Sequence, residues 1–145
     1  MRILNSFVRA AVLAVALLAV AGRSARAQYQ VIVNSANGAE SVSKDDLSKI
    51  FLKKANKWPD GKQAVAIDLD KGSPVRDAFS KAVHGRAASA VVSYWQQQIF
   101  SGADTPPAEK GSDADILAFV KGNPGAVGYV SSGADVSGVR VVAVK

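Results

Sequence analysis

The sequence predicts an α/β domain in which helices cover a mixed β-sheet, and three observations carry that expectation. Val65, Ile67 and Leu69 alternate with smaller or polar residues, the period of two that marks a strand with one buried face. Gly72, Ser73 and Pro74 follow at once, as turn, helix N-cap and first helical position, so the strand passes straight into a helix. Other β-rich runs stand near both ends of the chain, with amphipathic helical patterns between them. The expected order is β-α-β-α-α-α-β-β, a single domain.

Taken in order, Tyr29 to Asn34 is the first strand and Ser35-Ala36-Asn37-Gly38 its turn. Ser43 caps a helix with Asp46 three residues on, and Leu47, Ile50 and Phe51 fall on one face for packing against the sheet. Trp58-Pro59-Asp60-Gly61 is a turn whose large aromatic is expected to pack. The helix from Pro74 to about Val83 carries Val75, Phe79 and Val83 in one row and ends at His84-Gly85, where a solvated cation is the ordinary state of the histidine. Arg86 to Phe100 is a longer helix, expected to be buried through Ala90, Val91, Tyr94, Trp95, Ile99 and Phe100. Pro106-Pro107 demands a loop, Ser112 caps the helix from Asp113 to Lys121, and Gly122-Asn123-Pro124-Gly125 stops it. Strands at Ala126 to Val130 and Val139 to Val144 complete the chain.

The first 27 residues have the layout of an export signal. Arg2 and Arg9 form a basic start, Ala10 to Ala21 is an apolar run, and Ala25-Arg26-Ala27 supplies the small-x-small pattern of a cleavage site. The apolar run is shorter than the roughly 20 residues a spanning helix needs, and none follows it, so residues 28 to 145 are expected to be exported without membrane insertion. Four of the 18 basic residues, Arg2, Arg9, Arg23 and Arg26, lie in that segment, which leaves 14 against 12 acidic residues and a net charge of +2. So balanced a domain gives no argument for nucleic acid. The chain has no Cys, which excludes disulfides and a lipid anchor on cysteine.

Two loops leading from strand ends are candidates for ligand capture, Asn34 to Ser43 and Asp70 to Arg76. In the second, the unpaired amides of Val75 and Arg76, the Ser73 hydroxyl, the Arg76 guanidinium and the open backbone at Gly72 make an anion-competent helix start. If the first two strands are parallel neighbours, Ser35 and Asn37 face it. No enzyme chemistry is expected: His84 is the sole histidine, a serine nucleophile would lack a base, and no metal-ligand cluster or cofactor motif stands out. Asp68 and Asp70 are expected to form surface ion pairs; the alternative is that they orient Arg76 or Lys71, or accept a proton from a monohydrogen anion.

Several pieces in order carry a resemblance. Leu47-Ser48-Lys49-Ile50-Phe51-Leu52, Trp58-Pro59-Asp60-Gly61, Gly72-Ser73 with Arg76 and Phe79, and Asn123-Pro124-Gly125-Ala126-Val127-Gly128-Tyr129-Val130 resemble the periplasmic phosphate-binding proteins of ABC transporters. Tyr94-Trp95, Phe100-Ser101-Gly102 and Pro106-Pro107 are similar to their short single-domain relatives in Gram-negative bacteria. The resemblance implies a type II periplasmic-binding-protein fold and capture of phosphate, or a related oxyanion, by amides, hydroxyls and an arginine at helix N-termini. It also implies the periplasm as the destination of residues 28 to 145 and an inner-membrane ABC permease as partner. Where full-length members have Ser-Gly-Thr, this chain has Ser73-Pro74-Val75, one amide and one hydroxyl fewer. The alternative is a module that keeps the fold without the ligand and contacts another envelope protein.

Overall fold

A computed structural model describes residues 28–145; the expected export signal lies outside them. The elements are β1 (Tyr29–Asn34), β2 (Ser41–Val42), α1 (Lys44–Phe51), β3 (Val65–Leu69), α2 (Pro74–Val83), α3 (Ala88–Phe100), β4 (Ala108–Lys110), α4 (Asp113–Gly122), β5 (Ala126–Ser131) and β6 (Val139–Val144). The expected order is present, with two short strands added. β2 and β4 have two and three residues, too few to show a period of two in the sequence.

One mixed sheet of six strands runs β2-β6-β1-β5-β3-β4. β1 is antiparallel to both β5 and β6, with Val31 opposite Tyr129 and Val142. β3 is parallel to β5 on one side and to β4 on the other. It follows that β1 and β3 point in opposite directions and are separated by β5. The short strands occupy the two edges.

The helices begin where the sequence places them, for the expected reason. Ser43, Ser73 and Ser112 each accept a hydrogen bond from the amide three residues on, at 3.0, 3.3 and 3.2 Å. α3 has no such cap, because Ala87 precedes it; Asp77 of α2 accepts from the Ala88 amide instead, at 3.0 Å. Asn34 closes the far end of α4, donating to the carbonyls of Val120 and Lys121 at 2.8 and 3.1 Å.

Alternation along β5 divides the core. Tyr129 faces α1 and α2, stacking on Phe79 with ring centres 3.9 Å apart and lying near Phe51. Gly128 faces the other way, where a Cβ would lie 2.8 Å from Ile116 of α4 and 2.9 Å from Ile67 of β3. Glycine is required there because α4 packs directly on the strand. Among the described residues, no helix is long and apolar enough to cross a membrane.

Two expectations fail on packing. α3 is not buried along its length: Ala88, Val91 and Trp95 are covered, but Ala90 is exposed, Ile99 is 53% exposed and Phe100 is 96% exposed. The helix lies against α2 and outside the main core, so only one stripe is covered. His84 is not a solvated cation either. Its Nδ1 hydrogen-bonds the Ser48 hydroxyl at 2.8 Å and its ring meets Phe79 and Phe51 edge-on. Burial, helped by the charges of Arg86 and Arg76, lowers its pKa to about 4.

Two tests follow from the packing. Between pH 6.5 and 4 the unfolded chain binds a proton at His84 that the folded chain refuses, so acidification through that window weakens the fold through this group. Melting temperatures measured across it are expected to fall more steeply for the native protein than for His84→Gln; parallel curves would remove His84 as the source. Gly128→Ala forces a methyl between Ile67 and Ile116 and is expected to cost about 1–3 kcal/mol in urea unfolding.

Candidate functional site

β3 ends at Leu69, and the turn of Asp70 to Ser73 delivers the chain into α2. The Ser73 amide donates to Asp70 O at 2.9 Å, which tightens the turn, and the Ser73 hydroxyl oxygen receives the Arg76 amide. Pro74 has no amide to offer. Among the described residues, the amides of Lys71, Gly72 and Val75 have no hydrogen-bond partner, and the Ser73 hydroxyl proton is uncommitted. Gly72 is exposed, with Ser73 and Val75 half-buried, so a first-turn amide and a hydroxyl are open to solvent at the positive end of the α2 dipole.

The Arg76 side chain runs inward instead of out to this turn. It is 3% exposed. Nη1 donates to Leu69 O at 2.9 Å and to Glu109 Oε1 of β4 at 2.7 Å, while Nε lies 3.6 Å from Asp68 Oδ1. The Tyr129 hydroxyl donates to Asp68 in turn and accepts the Leu69 amide at 3.3 Å. Burial raises the Asp68 pKa, with Arg76 and the Tyr129 hydrogen bond opposing it in part. Burial likewise works against the Arg76 charge, but Asp68 and Glu109 outweigh it and hold the guanidinium protonated. Burial beside Asp68 pushes the Tyr129 phenol far above its ordinary range, so the hydroxyl keeps the proton it donates to Asp68.

The sequence-predicted residues therefore divide. Gly72, Ser73, Val75 and the Arg76 amide come together at the head of α2. Ser35 and Asn37 do not join them. Because β1 is antiparallel to β5 and β5 is parallel to β3, the loop after β1 lies at the opposite end of the sheet from the loop after β3. Asn37 is buried there, its side-chain oxygen accepting the Ala39 amide at 2.9 Å, and Ser35 is exposed. Asp68 is also not a surface ion pair, whereas Asp70 is exposed.

Sequence reasoning missed Tyr129 and Glu109. The first sits in a run of small apolar strand residues, and its polar atom matters only because the buried Asp68 carboxylate on the adjacent strand lies within its reach. The second follows Pro106-Pro107, a segment that carries every sign of a loop.

Beside the helix start, α3 and β4 frame a cleft of about 230 Å³, which Lys71, Arg76 and Glu109 line together with Trp95 and Ile99 of α3.

Arg76→Ala would strip the buried Asp68 of its counter-charge, and is expected to cost about 3 kcal/mol or more in urea unfolding. Adding Asp68→Asn should recover a substantial part of that loss, since the uncompensated charge is then gone. A double variant no more stable than the single one would show that the pair does not act as a unit.

Comparison with known proteins agrees with this architecture. A family model described as "PBP superfamily domain" matches residues 19–144. No curated protein matches the chain. Among solved structures, an ABC-type phosphate transport receptor from Vibrio cholerae superposes with a TM-score of 0.63 at 16% identity, over 81% of this chain and 46% of that one. A protein from Clostridium perfringens, assigned as a phosphate ABC transporter substrate-binding protein and holding phosphate, gives 0.62 at 21% identity over 81% and 44%. One from Planctomyces limnophilus, assigned as phosphate-binding, gives 0.61 at 20% over 81% and 41%. The chain thus spans less than half the length of each. At these identities the likeness is one of fold, while the match along nearly the whole chain shows that it belongs to the PBP superfamily domain family.

Proposed function

We propose that this chain is a periplasmic solute-binding protein of the phosphate ABC transporter type, taking phosphate or a related oxyanion at the first turn of α2. The observation that carries the reading is that uncommitted first turn: it opens at the carboxyl end of β3, with the Val75 amide, the Ser73 hydroxyl and the Gly72 backbone free, and Lys71 beside them. The structural neighbour that holds phosphate shares the fold, and supports oxyanions as the class. In this reading Arg76 contributes its amide's cap and the field of its charge, because its guanidinium is largely engaged by Leu69, Glu109 and Asp68. Residues 1–27 serve as the export signal, and an inner-membrane permease receives the solute.

The chemistry so assigned is capture and release. An oxyanion arriving at the turn exchanges hydration for backbone and hydroxyl donors that are already held by the Ser73 cap and the Asp70 turn, so little ordering is needed. With one lobe's worth of donors, and Pro74 and Val75 in the turn, the capture is weak.

A second reading has its own observation. Phe100 is 96% and Ile99 is 53% exposed at the end of α3, which is the character of a contact surface. In that reading the fold presents α3 to an envelope protein and binds no solute.

Thermal unfolding of the purified protein in phosphate, sulfate and chloride at matched ionic strength separates the two. Binding to the folded state alone stabilises by RT ln(1 + [L]/Kd), so a phosphate-selective rise in melting temperature at millimolar concentrations is expected. Ser73→Gly should abolish that rise with only a small loss of helix stability. A shift shared by all three salts would favour the interaction module.

A further inference from the structure

The cleft between α3 and β4 differs in character from a site for a bare inorganic ion. Its volume is about 230 Å³. Lys71 and Arg76 stand at one side and Glu109 between β4 and the guanidinium, while Val92, Trp95 and Ile99 form an apolar wall. Trp95 is 3% exposed, and among the described residues its indole N–H has no hydrogen-bond partner. Arg76 keeps an uncommitted donor at the cleft's polar side, since both of its side-chain hydrogen bonds leave from Nη1 and Nη2 makes none among the described residues. Glu109 accepts only one of the guanidinium protons, and its side chain is 40% exposed.

Two cations and an uncommitted guanidinium donor therefore gather at one side of a hollow whose other side is aromatic and aliphatic. Small-molecule sites have this composition, mostly apolar with a few convergent polar groups that fix orientation. We infer that the cleft binds a small organic acid, its oxyanion head at Lys71 and Arg76 and its apolar body against Trp95, Val92 and Ile99. The inference rests on the oxyanion reading of the neighbouring α2 start and extends it from inorganic phosphate to acids that carry an apolar group. Carboxylate and phosphate-ester heads offer the same acceptor chemistry here.

The test compares phenyl phosphate, benzoate, inorganic phosphate and benzyl alcohol at matched ionic strength, by calorimetric titration of the purified protein. One or both of the aromatic acids should bind at least tenfold tighter than inorganic phosphate, and which one does identifies the head. Ile99→Ser, at a half-exposed position, should weaken the acid alone through the lost apolar contact and leaves the fold little changed. If inorganic phosphate binds as tightly as both acids, the inference falls and the oxyanion site stands. If benzyl alcohol binds as well as the acids, the charged head is not recognised and the inference falls. If no anion binds, both readings fall.

Discussion

A guanidinium taken out of water must find its counter-charges where it lands, and in this protein that requirement fixes how four elements meet. Arg76 starts on α2, reaches the carbonyl that ends β3, finds one carboxylate on β3 and another on β4, and shares the first of these with the Tyr129 hydroxyl of β5. Desolvating such charges is expensive, and the expense is recovered only when each partner stays in place. The network therefore acts on geometry as much as on stability. Moving α2 relative to the sheet would separate the guanidinium from at least two acceptors together, so the direction in which the helix start points is set from beneath.

This division of labour separates the charge of Arg76 from the donors of the turn. The donors open to solvent near Ser73 are backbone groups and one hydroxyl, none of which can lose its proton near neutral pH. The permanent charge sits below them, largely neutralised by its partners. An incoming anion would meet a preset pattern of dipoles backed by a polar core, and the exposed cation beside the turn is Lys71. Recognition at the turn would depend on shape and hydrogen-bond geometry more than on net attraction, as befits a chain whose described residues carry nearly balanced charge.

Much of the fold is legible in the residues because its signals are local. Three serine caps, the Gly122 to Gly125 stop and the alternation of the strands act within a few positions, and each lies where those residues put it. What is not local is less legible. β4 has three residues and follows two prolines, and it exists because β3 offers an edge to Ala108, Glu109 and Lys110. The direction of β1 relative to β3 depends on β5, which arrives almost a hundred residues after β1, and so Ser35 and Asn37 could be paired with the wrong end of the sheet. The character of α3 was obscured by its own apolarity. Hydrophobic residues around a helix imply burial only when something lies on each side, and here α2 covers one stripe. The burial of Asp68 was masked in a similar way, since a carboxylate at a strand end is ordinarily solvated unless a partner such as Arg76 is brought over it.

The two short edge strands have a bearing on how this protein behaves in company. A sheet edge with unpaired amides and carbonyls is a template for a further strand from another molecule, and the hazard grows with the length of the edge. At one margin β2 offers two residues; at the other β4 offers three, entered through Pro106-Pro107 and bearing Glu109 and Lys110. A proline cannot donate to an added strand, and an alien backbone would have to accommodate an acidic and a basic side chain within one step of each other. Both margins of the six-stranded sheet that the described residues form are thus poor templates for fibrous stacking.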